Sequence, residues 1–168
     1  MKNISFRHDV LPLKNQLYRL ALRITQNAED SEDIVQEVMI KVWKRHDTLG
    51  DIDSIEAYCL KICRNQSLDY LRRKEMQNVP FDDDDTAPEP ADIFQRIQHR
   101  DNISIVRTLI DSLPEKQRTT IQLREFEGKS YKEISQILNI SEEQVKISIF
   151  RARQTLKSKF DKLENYGL

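Results

Sequence analysis

The chain has 168 residues, with 27 Lys and Arg against 28 Asp and Glu and a formal net charge of −1. That length permits one domain or two small ones, and the near-neutral balance excludes the broad basic face on which independent, salt-sensitive DNA binding rests. Three glycines, no alternating strand-like run and segments dominated by Leu, Ile, Glu, Lys, Arg and Gln predict an all-α fold.

Charge is unevenly spread. Residues 1–74 hold 13 Lys and Arg against 11 Asp and Glu, residues 75–101 hold 2 against 8, and residues 102–168 hold 12 against 9, giving net charges of +2, −6 and +3. This predicts two small helical domains, 1–74 and 105–168, joined by a flexible acidic linker over 75–104. The opening MKNISFRHDV has no apolar signal core and no stretch reaches the length of a membrane span, so a cytoplasmic protein with no direct membrane insertion is expected.

Leu13, Leu17, Leu20, Ala21 and Ile24 recur at helical spacing and predict a first helix over 11–25. The run NAEDSED at 27–33 then loads acidic groups onto the next helix start, where the helix dipole favours them. In that second helix Ile34, Val35, Val38, Met39 and Val42 can face inward. Asp33, Glu37, Lys41 and Lys44 line another side with Gln36 beside them, which spacing alone reads as an exposed face laced by pairs such as Glu37 with Lys41.

A third helix is predicted over 55–74. One side carries Cys59, Leu60, Cys63, Ser67, Tyr70 and Leu71. The two cysteines read as core thiols, since His8, His46 and His99 are scattered without ligand spacing and no metal centre is expected. The other side gathers Tyr58, Lys61, Ile62, Asn65, Asp69 and Arg72, with Arg73 and Lys74 at the end. An aromatic, an amide and clustered cations suit the stacking, edge reading and phosphate contact that single-stranded nucleic acid needs, although a surface Tyr also packs on neighbouring loops.

Pro80, Pro88, Pro90 and the run Asp82, Asp83, Asp84 and Asp85 oppose both helix and core burial, so the middle segment reads as an acidic tether. Four adjacent aspartates could instead take Mg²⁺ or Ca²⁺, but no surrounding sequence supplies the ordered cage such an ion requires.

Residues 113–153, LPEKQRTTIQLREFEGKSYKEISQILNISEEQVKISIFRAR, contain two capping boxes, Ser130 with Glu133 and Ser141 with Gln144. Between them Tyr131, Ile134, Ile137 and Leu138 make one helix amphipathic, and residues 139–142 leave room only for a tight turn, with Asn139 able to take a left-handed backbone. In the following helix Val145, Ile149, Ala152 and Leu156 form an inward stripe. The far side offers Gln144, Lys146, Ile147, Phe150, Arg151 and Gln154, a mixture of amide, cationic and apolar groups suited to a DNA major groove. The same pattern also fits a plain helical hairpin with a solvated face.

Taken in order, DIVQEVMIKVW (33–43), AYCLKICRNQSLDYLRRK (57–74), LPEKQR (113–118) and VKISIFRAR (145–153) resemble bacterial RNA polymerase sigma factors, and the two-part form with a tether is similar to the extracytoplasmic-function (ECF) group of the sigma-70 family. The resemblance implies that the first half is the family's region 2 and the C-terminal part its region 4. It implies a docking helix for core RNA polymerase carried by Asp33, Gln36 and Glu37, with Lys41 a weaker candidate. It further implies that Tyr58, Lys61, Asn65, Asp69, Arg72 and Arg73 hold the melted minus-ten element, with Tyr58 standing where relatives commonly have Trp. Promoter duplex at the minus-thirty-five element would meet Gln144, Lys146, Ile147, Ser148, Phe150 and Arg151, with Ile147 departing from the small polar or basic residue usual there. An anti-sigma protein that masks these surfaces is implied as a further partner.

The function expected is promoter selection for transcription initiation, with no catalytic residue and no cofactor. A stand-alone helix-turn-helix repressor or activator is the alternative, and would bind duplex tightly without polymerase, usually as a dimer on paired half-sites. An enzyme is disfavoured, because the sequence contains no phosphate-cradling glycine loop, H-E-x-x-H pair or nucleophile elbow.

Overall fold

A computed structural model of the protein describes residues 3–77 and 102–165. Of the expected linker over 75–104, residues 78–101, with Asp82, Asp83, Asp84 and Asp85, lie outside the described residues, while 75–77 and 102–104 belong to helices.

Among the described residues the ordered elements are all helical. Pro12 opens a short 3-10 turn at Leu11–Leu13, and α1 continues over Lys14–Thr25. It stops at Gln26, which takes a left-handed backbone (φ 59°) and returns its amide to the Leu22 carbonyl at 2.8 Å. Asn27 then caps α2 (Ala28–Lys44), its side-chain oxygen accepting from the Asp30 amide at 3.0 Å. After a 3-10 segment at His46–Asp51, Ser54 accepts from the Ala57 amide and starts α3, which runs over Ile55–Gln77, three residues beyond the predicted end.

The second region comprises α4 (Asn102–Asp111), α5 (Glu115–Ile121) with a π-helical extension at Gln122–Phe126, α6 (Tyr131–Leu138) and α7 (Glu142–Asn165). Both capping boxes form. Ser130 and Glu133 exchange hydrogen bonds of 3.1 and 3.2 Å, and Ser141 and Gln144 do so at 3.1 Å each. Asn139 takes the expected left-handed conformation (φ 55°) and closes α6.

Apolar burial follows the helical periodicity. Leu17, Leu20, Ile24, Val35, Val38, Cys59, Leu60 and Cys63 fill the space between α1, α2 and α3, while Leu113, Ile121, Leu123, Ile134, Ile137, Val145, Ile149 and Ala152 fill the second region. These side chains form one continuous cluster. The two regions therefore pack on each other, α1 against α5 and α3 against α6. Sequence alone suggested two lobes working apart.

Polar groups specify this closure. Arg118 of the LPEKQR motif is nearly buried and donates to the Arg23 and Ile24 carbonyls at the end of α1, at 2.7 and 3.0 Å, and to the Leu113 carbonyl at 2.9 Å. The last carbonyls of a helix lack internal partners and carry its negative dipole end, so a guanidinium satisfies them both geometrically and electrostatically. Around it Arg19 forks onto Glu127 (2.7 and 2.8 Å), Arg23 reaches Asp111 and Gln122 (2.7 and 2.9 Å), Gln26 donates to the Asp111 carbonyl (2.6 Å), and Lys129 pairs with Glu56.

Candidate nucleic-acid interface

Three exposed faces carry the residues singled out in the sequence. On α2, Asp33, Gln36 and Glu37 are all exposed. Gln36 borders a groove of about 530 Å³ between α1 and α2, with Lys14, Tyr18 and Glu32 on its walls. Ile40 and Trp43 are each 53 % exposed, and at about 100° per residue they share the side of Asp33 and Gln36. The Trp43 ring stacks on His46 (4.6 Å, 17°) and meets Phe6 edge-on (5.1 Å), so it is presented in one orientation. Sequence reasoning passed over both, although Trp43 is the sole tryptophan and ends the DIVQEVMIKVW stretch.

Lys41 is exposed on the side of α2 that carries Glu37, and both reach α3: Lys41 donates to the Gln66 side chain at 2.5 Å, while Gln66 in turn donates to Glu37. The expected direct Glu37 with Lys41 pairing is thus mediated by Gln66. Lys41 also forms the rim of a groove of about 400 Å³ shared with Tyr58, Ile62, Asn65 and Asp69.

That groove lies on the second face. Tyr58 is half-buried, and its hydroxyl accepts from Arg45 at 3.3 Å, which ties the start of α3 to the end of α2. Lys61, Asn65, Asp69, Arg72 and Arg73 are exposed along α3, with Arg72 and Asp69 3.7 Å apart. An aromatic edge, an amide and several cations therefore share one open groove, the combination that holds unpaired bases and their phosphates. Lys44 and Arg45 add cationic charge that the sequence reading did not assign to it.

The third face belongs to the helix-turn-helix, α6 and α7. Gln144, Lys146, Ile147, Phe150 and Arg151 are exposed. Ser148 is not: it is 5 % exposed and donates to the Thr120 hydroxyl at 3.2 Å. Residue 148 falls beside the Val145 and Ala152 stripe, where α7 meets α5, so its side chain is withdrawn from any partner lying on the far side. Gln144 keeps its amide free but commits its carbonyl to the capping box. Lys146 and Arg124 both lie over the Tyr131 ring, at 5.7 and 4.5 Å, and Arg153 pairs with Glu125.

Cys59 and Cys63 are fully buried, and burial pushes both thiols up to about 12. At neutral pH they are protonated core groups, Cys63 donating to the Leu17 carbonyl at 3.3 Å. Among the described residues no cluster of three or more His, Cys, Asp or Glu side chains is arranged to hold a metal ion, and no helix is long and apolar enough to cross a membrane.

Known proteins share this fold. The family model for sigma-70 region 2 matches residues 10–76, and that for sigma-70 region 4 matches residues 103–156. The chain is 31 % identical over 149 residues to the ECF RNA polymerase sigma factor SigM of Bacillus subtilis, covering 88 % of this chain and 90 % of that protein. It is 29 % identical over 160 residues to the RNA polymerase sigma-H factor of Pseudomonas aeruginosa, covering 88 % and 81 %. The fold is similar to that of the sigma factor RpoE solved with the anti-sigma factor NepR from Bartonella quintana (TM-score 0.74, 21 % identity, 93 % and 96 % of the two chains). It is also similar to CnrH solved with the cytosolic domain of CnrY (TM-score 0.67, 20 % identity, 94 % and 88 %). With both sigma-70 regions present in order on one helical scaffold, and a relative matched along nearly its whole length, the chain belongs to the ECF sigma factors of the sigma-70 family.

Proposed function

We propose that this protein binds core RNA polymerase and directs it to specific promoters, acting as three surfaces on one chain. The observation that carries the reading is the separation of those surfaces: an α2 face with exposed apolar anchors, an α3 groove suited to unpaired bases, and a recognition helix suited to duplex. Asp33, Gln36 and Glu37 dock on the polymerase. Tyr58, Lys61, Asn65, Asp69, Arg72 and Arg73, joined by Lys41, hold the melted minus-ten element. Gln144, Lys146, Ile147, Phe150 and Arg151 meet the minus-thirty-five duplex. Residues 1–74 and 105–168 act as the two functional domains, with 75–104 between them.

The chain contributes no chemistry of its own, since catalysis belongs to the polymerase, and it works in the cytoplasm where the polymerase and promoters are. Two weak readers gain effective concentration when mounted together on a larger machine, which is how a nearly neutral chain achieves sequence selectivity. An anti-sigma protein that covers these faces is the regulatory partner, a role supported by the anti-sigma complexes in which related folds were solved.

Engaging both elements at once requires the closed packing to open. About 25 base pairs at about 3.4 Å each separate the two elements by roughly 85 Å, whereas a compact chain of this length, with a radius of gyration near 15 Å, is only about 40 Å across. Run-off transcription from a genomic library with core polymerase, with and without the protein, tests the proposal: new start sites should appear only when the protein is added. Unchanged start sites, or tight site-specific retardation of duplex by the protein alone, would favour the stand-alone regulator instead.

A further inference from the structure

We infer that Ile147 and Phe150 form an apolar ridge that selects thymine methyl groups at neighbouring base pairs of the minus-thirty-five duplex. This rests on the reading in which α7 enters that duplex. Ile147 is 43 % and Phe150 61 % exposed, and three residues apart they lie side by side along the outer face of α7. The two residues between them in the chain, Ser148 and Ile149, are both buried, so the polar groups on this side, Glu143 and Gln154, stand one turn before and one turn after the ridge rather than within it. Ser148 is turned inward to Thr120, and the Gln144 carbonyl is held by the Ser141 amide.

Cations flank the ridge, Lys146 on one side and Arg151 on the other, so the face is complementary to a groove walled by phosphates. Of the groups a major groove displays, only the C5 methyl of thymine gains from contact with an aliphatic or aromatic side chain. Cytosine would bring its amino group, and the purines their acceptor atoms, against carbon, leaving them desolvated without a partner. The ridge therefore favours adjacent T·A pairs and penalises their replacement.

The experiment uses holoenzyme assembled from core polymerase and the full chain. Selection from promoters randomised at the minus-thirty-five element should enrich two neighbouring T·A pairs. Replacing either thymine by deoxyuridine, which removes only the methyl, should weaken holoenzyme binding by about fourfold, the worth of one buried methyl group. Ile147→Ser, a change at an exposed position, should abolish the methyl effect at one base pair and leave it at the other. Equal affinity for thymine and deoxyuridine, or unchanged methyl sensitivity in Ile147→Ser, overturns the inference and leaves the ridge to a protein partner. A holoenzyme that forms and initiates selectively but ignores the methyls sinks this inference alone, whereas failure to form or to redirect initiation sinks the sigma-factor reading with it.

Discussion

Replacing Arg118 by Met removes the guanidinium that joins the two regions while keeping an apolar stem of similar length. Three hydrogen bonds to carbonyls disappear, two of them across the regional boundary. At about 1.5 kcal/mol for each bond to a charged donor, the gross loss is about 4.5 kcal/mol. Part is offset, because burial disfavours the Arg118 charge, as its lowered pKa reflects. A net destabilisation of about 3 kcal/mol remains, consistent with leaving buried carbonyls without their donor. With a urea slope of about 2 kcal/mol per molar, the unfolding midpoint should fall by about 1.5 M. Lys at this position should not restore it, since one ammonium cannot present donors to three carbonyls in the plane that the guanidinium uses. Dyes on cysteines introduced at Lys61 and Gln154 provide a second readout of closure. They can be placed selectively, because the native thiols are buried and protonated at neutral pH. The Arg118→Met protein should show a longer and broader distance distribution. An unchanged midpoint together with an unchanged distribution would refute the assignment of Arg118 as the closing contact.

Gln36→Ala with Glu37→Ala should lower association with core polymerase by tenfold or more, about 1.4 kcal/mol, while duplex binding is unaffected; co-purification with core polymerase measures it. Arg151→Ala should weaken minus-thirty-five duplex binding by about 1 to 3 kcal/mol and leave polymerase association intact, as read by holoenzyme titration on promoter fragments. Alkaline pH should destabilise the fold through Cys59 and Cys63. Their folded pKa values stand near 12, above the ordinary value of about 8.5, so their contribution is complete below about pH 8.5 and is lost as the unfolded chain ionises first above it. Urea midpoints measured from pH 7 to 10 should fall above pH 9, and the slope should be shallower in the Cys59→Ala, Cys63→Ala double variant.

Much of the architecture was legible in the residues because its causes are local. A hydroxyl three positions before a Glu or Gln caps a helix whatever surrounds it, so Ser130 with Glu133 and Ser141 with Gln144 marked the two helix starts in advance. Asn139 marked the turn for a similar reason, and the spacing of Leu17, Leu20, Ile24, Val145, Ile149 and Ala152 located the buried stripes. Functional assignment came from motif order. The region matches extend it over most of the chain.

What the residues could not disclose depends on distant partners. Spacing already places Ser148 three residues after Val145 and four before Ala152, beside the buried stripe, and what it does not disclose is that Thr120 waits there as its partner. Lys41 has a long stem that can lie along its own helix or cross to Gln66, and only the approach of α3 decides. Arg19, Arg23 and Arg118 count simply as positive charges until the fold brings them to Glu127, to Asp111 and to the end of α1, about a hundred residues away in sequence. The sequence by itself determined the helices, their caps and the family, because short-range sterics, hydrogen bonding and apolar periodicity act within a few residues. Only the tertiary structure decided which candidate side chains reach a partner and that the two regions close on each other, because those outcomes are set by contacts between segments that the linear order keeps apart.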